Sequence, residues 1–269
     1  MGSEFHLQAT LDDNALPRIK PPPQSAAISA PFSYSPSDDG TDENLLVLLH
    51  GLGDTHIPFS KLGCSLKLPQ TAVLALRAPE LIPYLYEDAF QWYPSFDALG
   101  DILAHPDPTT AIDYITNVLH HLVNDCGWHA PRIHLFGFAQ GGSVAAESAL
   151  KWWRRNLQQQ QNSDNTLVQP LGSVVTIGGP LLSYPTLSAA CPTPILVFHR
   201  PPPTEPFLPG DTLAAFRKGF SRVVDTKKSG VGMPRSKDEW YPIMELWSER
   251  LGRRQVDGLY EVMTGGSSI

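Results

Sequence analysis

Short, unbroken apolar runs alternate with stretches of helical periodicity, and this constrains the fold more than any other feature of the chain. The runs are 44–49 (NLLVLL), 72–76 (AVLAL), 133–136 (IHLF), 174–177 (VVTI) and 194–199 (PILVFH). Runs of this kind, with no polar residue at every second position, suit parallel strands covered on both faces. Between them, Ile112, Ile115, Val118, Leu119 and Leu122 fall on one face of a helix over 109–123. Further helices are expected over 141–156, 211–220 and 236–251. The last has Trp240, Ile243, Met244, Trp247 and Leu251 facing inward and Ser236 with Glu239 as a capping box at its start. Residues 222–226 read as a last strand, and the polar segment 157–166 (LQQQQNSDNT) as a surface loop. Strands alternating with helices imply an α/β fold, a mostly parallel sheet flanked by helices on both faces.

Composition narrows the function classes. At 269 residues, 42% hydrophobic and 17% charged, the chain can bury a substantial core. Its net charge of −7 leaves no basic stripe for nucleic acid. The local basic runs, Lys151–Arg155 and Arg250–Arg254, read as solvated helix faces. Cys64, Cys126 and Cys191 lie far apart and outside any CxxC spacing, so neither a disulfide framework nor a metal site is expected. No apolar run is long enough to span a membrane, and the N-terminus has no apolar signal segment. A cytoplasmic location follows as an expectation, and no cofactor is implied.

Two glycine motifs carry the chemistry. Leu48–Asp54 (LLHGLGD) closes one apolar run, and Phe136–Ser143 (FGFAQGGS) joins a run to a helix. The second reads as a sharp strand-to-helix turn whose tip residue, Ala139, is held in a strained conformation and points into a site. Glycines at 137 and 141 let the backbone pass closely on each side.

These motifs, with the Pro194–His199 run, the Glu-Pro-x-x-Pro segment at 205–209 and a closing helix, resemble the phospholipase/carboxylesterase family that includes acyl-protein thioesterases. The likeness covers about residues 44–251, and the 232–240 segment (GMPRSKDEW) resembles a fungal branch of it. The resemblance implies an α/β-hydrolase fold: residues 44–260 as a single domain, after an irregular arm at 1–43 that contributes at most one short edge strand. Residues 1–5 (MGSEF) fit a cloning scar. It also implies a Ser-acid-His triad and an oxyanion hole. In this chain the nucleophile position is Ala139, the acid position Glu205 and the base position Met233, in a Gly230-Val-Gly-Met turn. The oxyanion donors are the backbone N–H groups of Leu52 and Gln140. His50 and Gly51 belong to the first motif. The aromatic segment holding Tyr84, Tyr86, Phe90, Trp92, Tyr93 and Phe96 lines the ligand side of the cleft in the family, and it suits ordinary packing equally well.

A methyl group cannot attack a carbonyl, and no histidine follows His199. The sequence therefore favours a pseudoenzyme that binds a small acyl or carboxylate-like ligand or a protein partner. The alternative is a serine esterase or thioesterase inactivated by a Ser-to-Ala change at Ala139. Ser143 reads as helix packing, Cys64 as a buried inert thiol, His50 as a loop-ordering residue, and His120 and His121 as exposed.

Overall fold

A computed structural model of the chain describes residues 18–82, 88–97, 99–162, 169–203, 208 and 210–254. Along the chain run β1 (Phe32–Ser35), β2 (Asn44–Leu49), α1 (His56–Ser65), β3 (Thr71–Leu76), β4 (Glu80–Leu81), β5 (Phe90–Gln91) and α2 (Thr109–Asn124). There follow β6 (Ile133–Phe138), α3 (Gln140–Asn162), β7 (Ser173–Ile177), β8 (Ile195–His199), α4 (Thr212–Gly219), β9 (Val223–Lys227) and α5 (Lys237–Arg250). The main sheet has the order β1-β3-β2-β6-β7-β8-β9, and β4 and β5 form a small separate ribbon. Every pairing in the main sheet is parallel except β1 with β3. The N-terminal arm thus supplies an antiparallel edge strand.

The apolar runs are continuous because the sheet is covered twice. Leu45, Val47 and Leu49 of β2 pack with α2, α3 and α4, whereas Leu46 and Leu48 pack with α1 and α5. Strand order reverses between β2 and β6, so the crevice at their carboxyl ends is the place where sheets of this type bind ligands. Both glycine motifs end there.

The structure departs from the sequence reading in several places. Helix α1 was not legible, because its sequence (HIPFSKLGCS) has only a weak apolar face and begins with no side-chain cap. Helix α3 continues through 157–162, where a loop was expected; glutamine is a good helix former, and Gln158 and Gln159 are exposed on it. Residues 163–166 of that expected loop lie outside the described residues. In α5 the buried residues are Ile243, Leu246 and Trp247, while Met244 is exposed; the inward stripe is narrower than its apolar residues suggest. Its capping box is present as expected. His121 is buried, not exposed, because the arm covers it: the Gln24 N–H donates to His121 Nε2 at 3.0 Å, and Asp125 lies 2.7 Å from Nδ1. Cys64 is only half-buried, near the Ser35 hydroxyl. No described helix is long and apolar enough to cross a membrane.

Where β6 and β7 begin, His134 is fully buried with Nδ1 2.8 Å from Ser173 Oγ, and its Nε2 has no partner among the described residues. Burial, aided by Arg250 and Arg132, pushes its pKa from 6.5 down to about 3. The unfolded chain therefore binds a proton in this interval that the folded chain refuses, so His134 makes stability fall as pH drops from 6.5 toward about 3. His134→Asn, which can keep the Ser173 contact, should flatten the decline of Tm between pH 6.5 and 4 relative to the parent. Equal slopes in thermal melts would show that His134 does not carry this dependence.

Candidate active site

The tip of the turn after β6 is built by backbone contact. Ala139 has φ +48°, a left-handed conformation that costs a non-glycine residue roughly 1–2 kcal/mol. Its N–H donates to the Ile177 carbonyl at 2.8 Å, and its carbonyl accepts from the Ser143 N–H at 3.1 Å. A Cβ on Gly141 would sit 2.4 Å from the Leu49 carbonyl oxygen, and one on Gly137 would sit 2.2 Å from the Gly141 oxygen. These are backbone obstacles that cannot swing aside. Only glycine lets the turn pass beneath the loop that follows β2.

That loop is held by neutral hydrogen bonds. His50 is fully buried; its Nε2 accepts from the Ala78 N–H at 2.9 Å, so Nδ1 carries the proton and donates to the Gly51 carbonyl at 2.7 Å. Burial lowers its pKa, which keeps it neutral. Both ring nitrogens are committed, as befits a loop-ordering residue. Trp92 is fully buried, and its indole N–H donates to the His50 carbonyl at 2.8 Å. The Gln140 side chain spans the gap: its Oε1 accepts from the Trp92 N–H, and its Nε2 donates to the Tyr93 carbonyl and the Ser95 hydroxyl. Sequence reading used Gln140 only for its backbone. The buried amide following the tip was the available signal for this strap.

The expected site residues are distributed unevenly. Ala139, Gln140, His50, Gly51 and Leu52 come together at the carboxyl ends of β2 and β6. Among the described residues, neither the Leu52 N–H nor the Gln140 N–H takes a backbone partner. Gln140 also heads α3, where the helix field favours negative charge. Trp92 and Tyr93 are buried and support the strap from beneath, whereas Phe96 is exposed. Burial pushes the Tyr93 phenol up to about 12, so it stays protonated. Ser143 is fully buried, consistent with packing. Glu205, Tyr84 and Tyr86 lie outside the described residues.

Met233 is half-buried against the cluster containing Phe136, Phe138 and Trp240. Its turn is latched by Arg200, which follows β8 and is 1% exposed. The Arg200 guanidinium donates to the carbonyls of Ser229, Gly232 and Met233 and pairs with Glu239. It also lies 4.8 Å from the Phe198 ring centroid. Its partner is held down to about 2, chiefly by that guanidinium. Sequence reading missed this latch, although an arginine directly after a buried strand is itself unusual.

Two imidazole–carboxylate pairs occur among the described residues, His121–Asp125 and His199–Asp225. His121 lies under the arm. His199 Nε2 reaches Asp225 of β9 at 2.9 Å, on the side of β8 away from β6. Ala139 is two strands in the other direction, about 10 Å across the sheet.

The phospholipase/carboxylesterase family profile matches residues 35–245. An uncharacterized hydrolase of Mycosarcoma maydis is 38% identical over 237 residues, covering 86% of each chain. An uncharacterized hydrolase of Schizosaccharomyces pombe is 28% identical over 222 residues, covering 79% of this chain and 86% of that one. Among solved structures, esterase PE8 superposes with a TM-score of 0.64 at 23% identity, covering 82% of this chain and 98% of its own. Zea mays acyl-protein thioesterase 2 does so with a TM-score of 0.59 at 20% identity, covering 83% and 100%. At these identities the solved structures speak for the fold.

Arg200→Met should destabilise the protein by on the order of 3 kcal/mol, since it leaves one Glu239 oxygen and several carbonyls without their donor. Faster amide exchange confined to 229–233 and α5 should accompany the fall in denaturation midpoint. An unchanged midpoint would show that the latch is dispensable.

Proposed function

Because this chain belongs to the phospholipase/carboxylesterase family, we propose that it is a non-catalytic member that retains the family's ligand-binding pole without its proton-transfer chemistry. The observation that carries this reading is the pairing of a methyl group at the elbow tip with the absence of histidine after His199. The nine histidines of the chain leave little room for a substitute. His50 is committed on both nitrogens, and His199 is turned to the far strand. His56, at the start of α1, has no carboxylate partner among the described residues, and burial, aided by Arg77, lowers its pKa.

Magnitude decides what remains. In a serine protease, loss of nucleophile or base alone costs roughly 10⁶-fold in kcat, and the members act as a unit. The residue of catalysis comes from the oxyanion donors and from binding, roughly 10³-fold or more over water. The Leu52 and Gln140 N–H groups are backbone donors and survive any side-chain exchange. They suit a carbonyl or carboxylate oxygen, so a small acyl or carboxylate-bearing molecule is the ligand class this pole favours. No cofactor enters this reading.

The preserved strain at Ala139 favours one other reading, a serine esterase or thioesterase carrying an introduced Ser-to-Ala change. A serine codon at position 139 of the natural gene would establish it.

Fluorophosphonate labelling and p-nitrophenyl ester and acyl-thioester turnover separate the two at the bench. The chain and its Ala139→Ser variant should both stay unlabelled and inactive. Robust turnover by the single serine variant would overturn the non-catalytic reading. Ala139→Ser combined with Met233→His should gain measurable esterase activity; a folded but silent double variant would show that 233 is not the base position.

A further inference from the structure

A cavity lies at the opposite pole from the elbow. It encloses about 580 Å³ between the arm, the entry to β6 and the end of α5, within the range of small-molecule sites. The second basic run of the sequence leads into it: α5 ends at Arg250, and Leu251 and Arg254 line the wall beyond the helix.

The charges of this wall are unevenly satisfied. Glu43 pairs with Arg132 at 3.1 Å, and Glu249 pairs with Arg222 at 2.5 Å. Asp42, almost fully buried, accepts from the N–H groups of Lys20 and Ser37. Both glutamates are therefore paired with cations, and Asp42 is held by neutral donors. Two cations are not paired: among the described residues neither Lys20 nor Arg250 has a carboxylate within ion-pair distance. The Lys20 ammonium donates to the Gly127 carbonyl at 2.8 Å, and Arg250 uses only its Nε, on the Gly172 carbonyl at 3.2 Å. The terminal guanidinium N–H groups of Arg250 stay uncommitted. Trp128, 1% exposed, belongs to the same wall, and its indole N–H has no acceptor among the described residues. The positive field also reaches the buried His134 below, where Arg250 and Arg132 help to disfavour the imidazolium.

We propose that this cavity is a second ligand site, built for a small multiply charged oxyanion of the phosphomonoester class. A phosphate group matches the donor set. A planar guanidinium grips two of its oxygens, and the ammonium supplies a point charge. In a chain of net charge −7, a wall with surplus cations is a departure from the background. The site shares no residue with the elbow, so it stands whether or not the elbow is catalytic.

Calorimetric titration of the full chain with inorganic phosphate, glycerol 3-phosphate and citrate, at ionic strength fixed with chloride, tests this. The phosphate probes should bind saturably, and citrate more weakly. Arg250→Gln and Lys20→Gln should each weaken phosphate binding roughly tenfold or more. Glu249→Gln, which removes a negative charge from the rim, should tighten it. Thermal melts check that each variant is folded; if Arg250→Gln is not, the Lys20 and Glu249 variants decide. No saturable binding above chloride, or binding indifferent to these substitutions, would overturn the site, and tight citrate binding without phosphate binding would overturn the ligand class.

Discussion

The candidate site depends on a close approach of backbone to backbone. The turn after β6 runs directly beneath the loop after β2, with Gly141 against the carbonyls of Leu49 and His50 and Gly179 against the Ala139 carbonyl. A side chain at 137, 141 or 179 would have to occupy space held by main-chain atoms. The tip itself is held by main-chain hydrogen bonds, from its N–H to the Ile177 carbonyl and from the Ser143 N–H to its own carbonyl. The bend is therefore enforced by main-chain atoms, and a methyl group at the tip leaves those contacts in place.

Around this bend, neutral groups do the fastening. His50, Trp92 and Gln140 connect the loop after β2, the 92–95 segment and the head of α3 through hydrogen bonds whose donors and acceptors are all assigned. In a water-poor environment such a network is stiff when complete and costly when one member is missing. It also adds no negative charge near the Leu52 and Gln140 N–H groups. A pole fastened this way needs no charged side chain to hold its shape.

The layered architecture was legible because it is written in periodicity. Continuous apolar runs gave the doubly covered strands, and Ser236 with Glu239 marked the start of α5. The elbow was legible because glycine spacing reports close backbone approach. Interactions that couple distant residues through one side chain were not legible. Arg200 meets the 229–233 turn and Glu239 only after β8, β9 and the start of α5 are in place. His121 read as exposed because helical position alone cannot reveal an arm folded over it. Helix α1 was lost for the opposite reason: its weak apolar face left no period to detect.

The Arg200 latch also bears on why position 233 tolerates methionine. Here Glu239 is engaged by Arg200, and the same guanidinium reaches the Met233 carbonyl at 3.2 Å. That contact is to the main chain, so the latch fixes the turn without calling on the side chain at 233. The turn is a structural element fastened by a buried cation whose charge Glu239 answers.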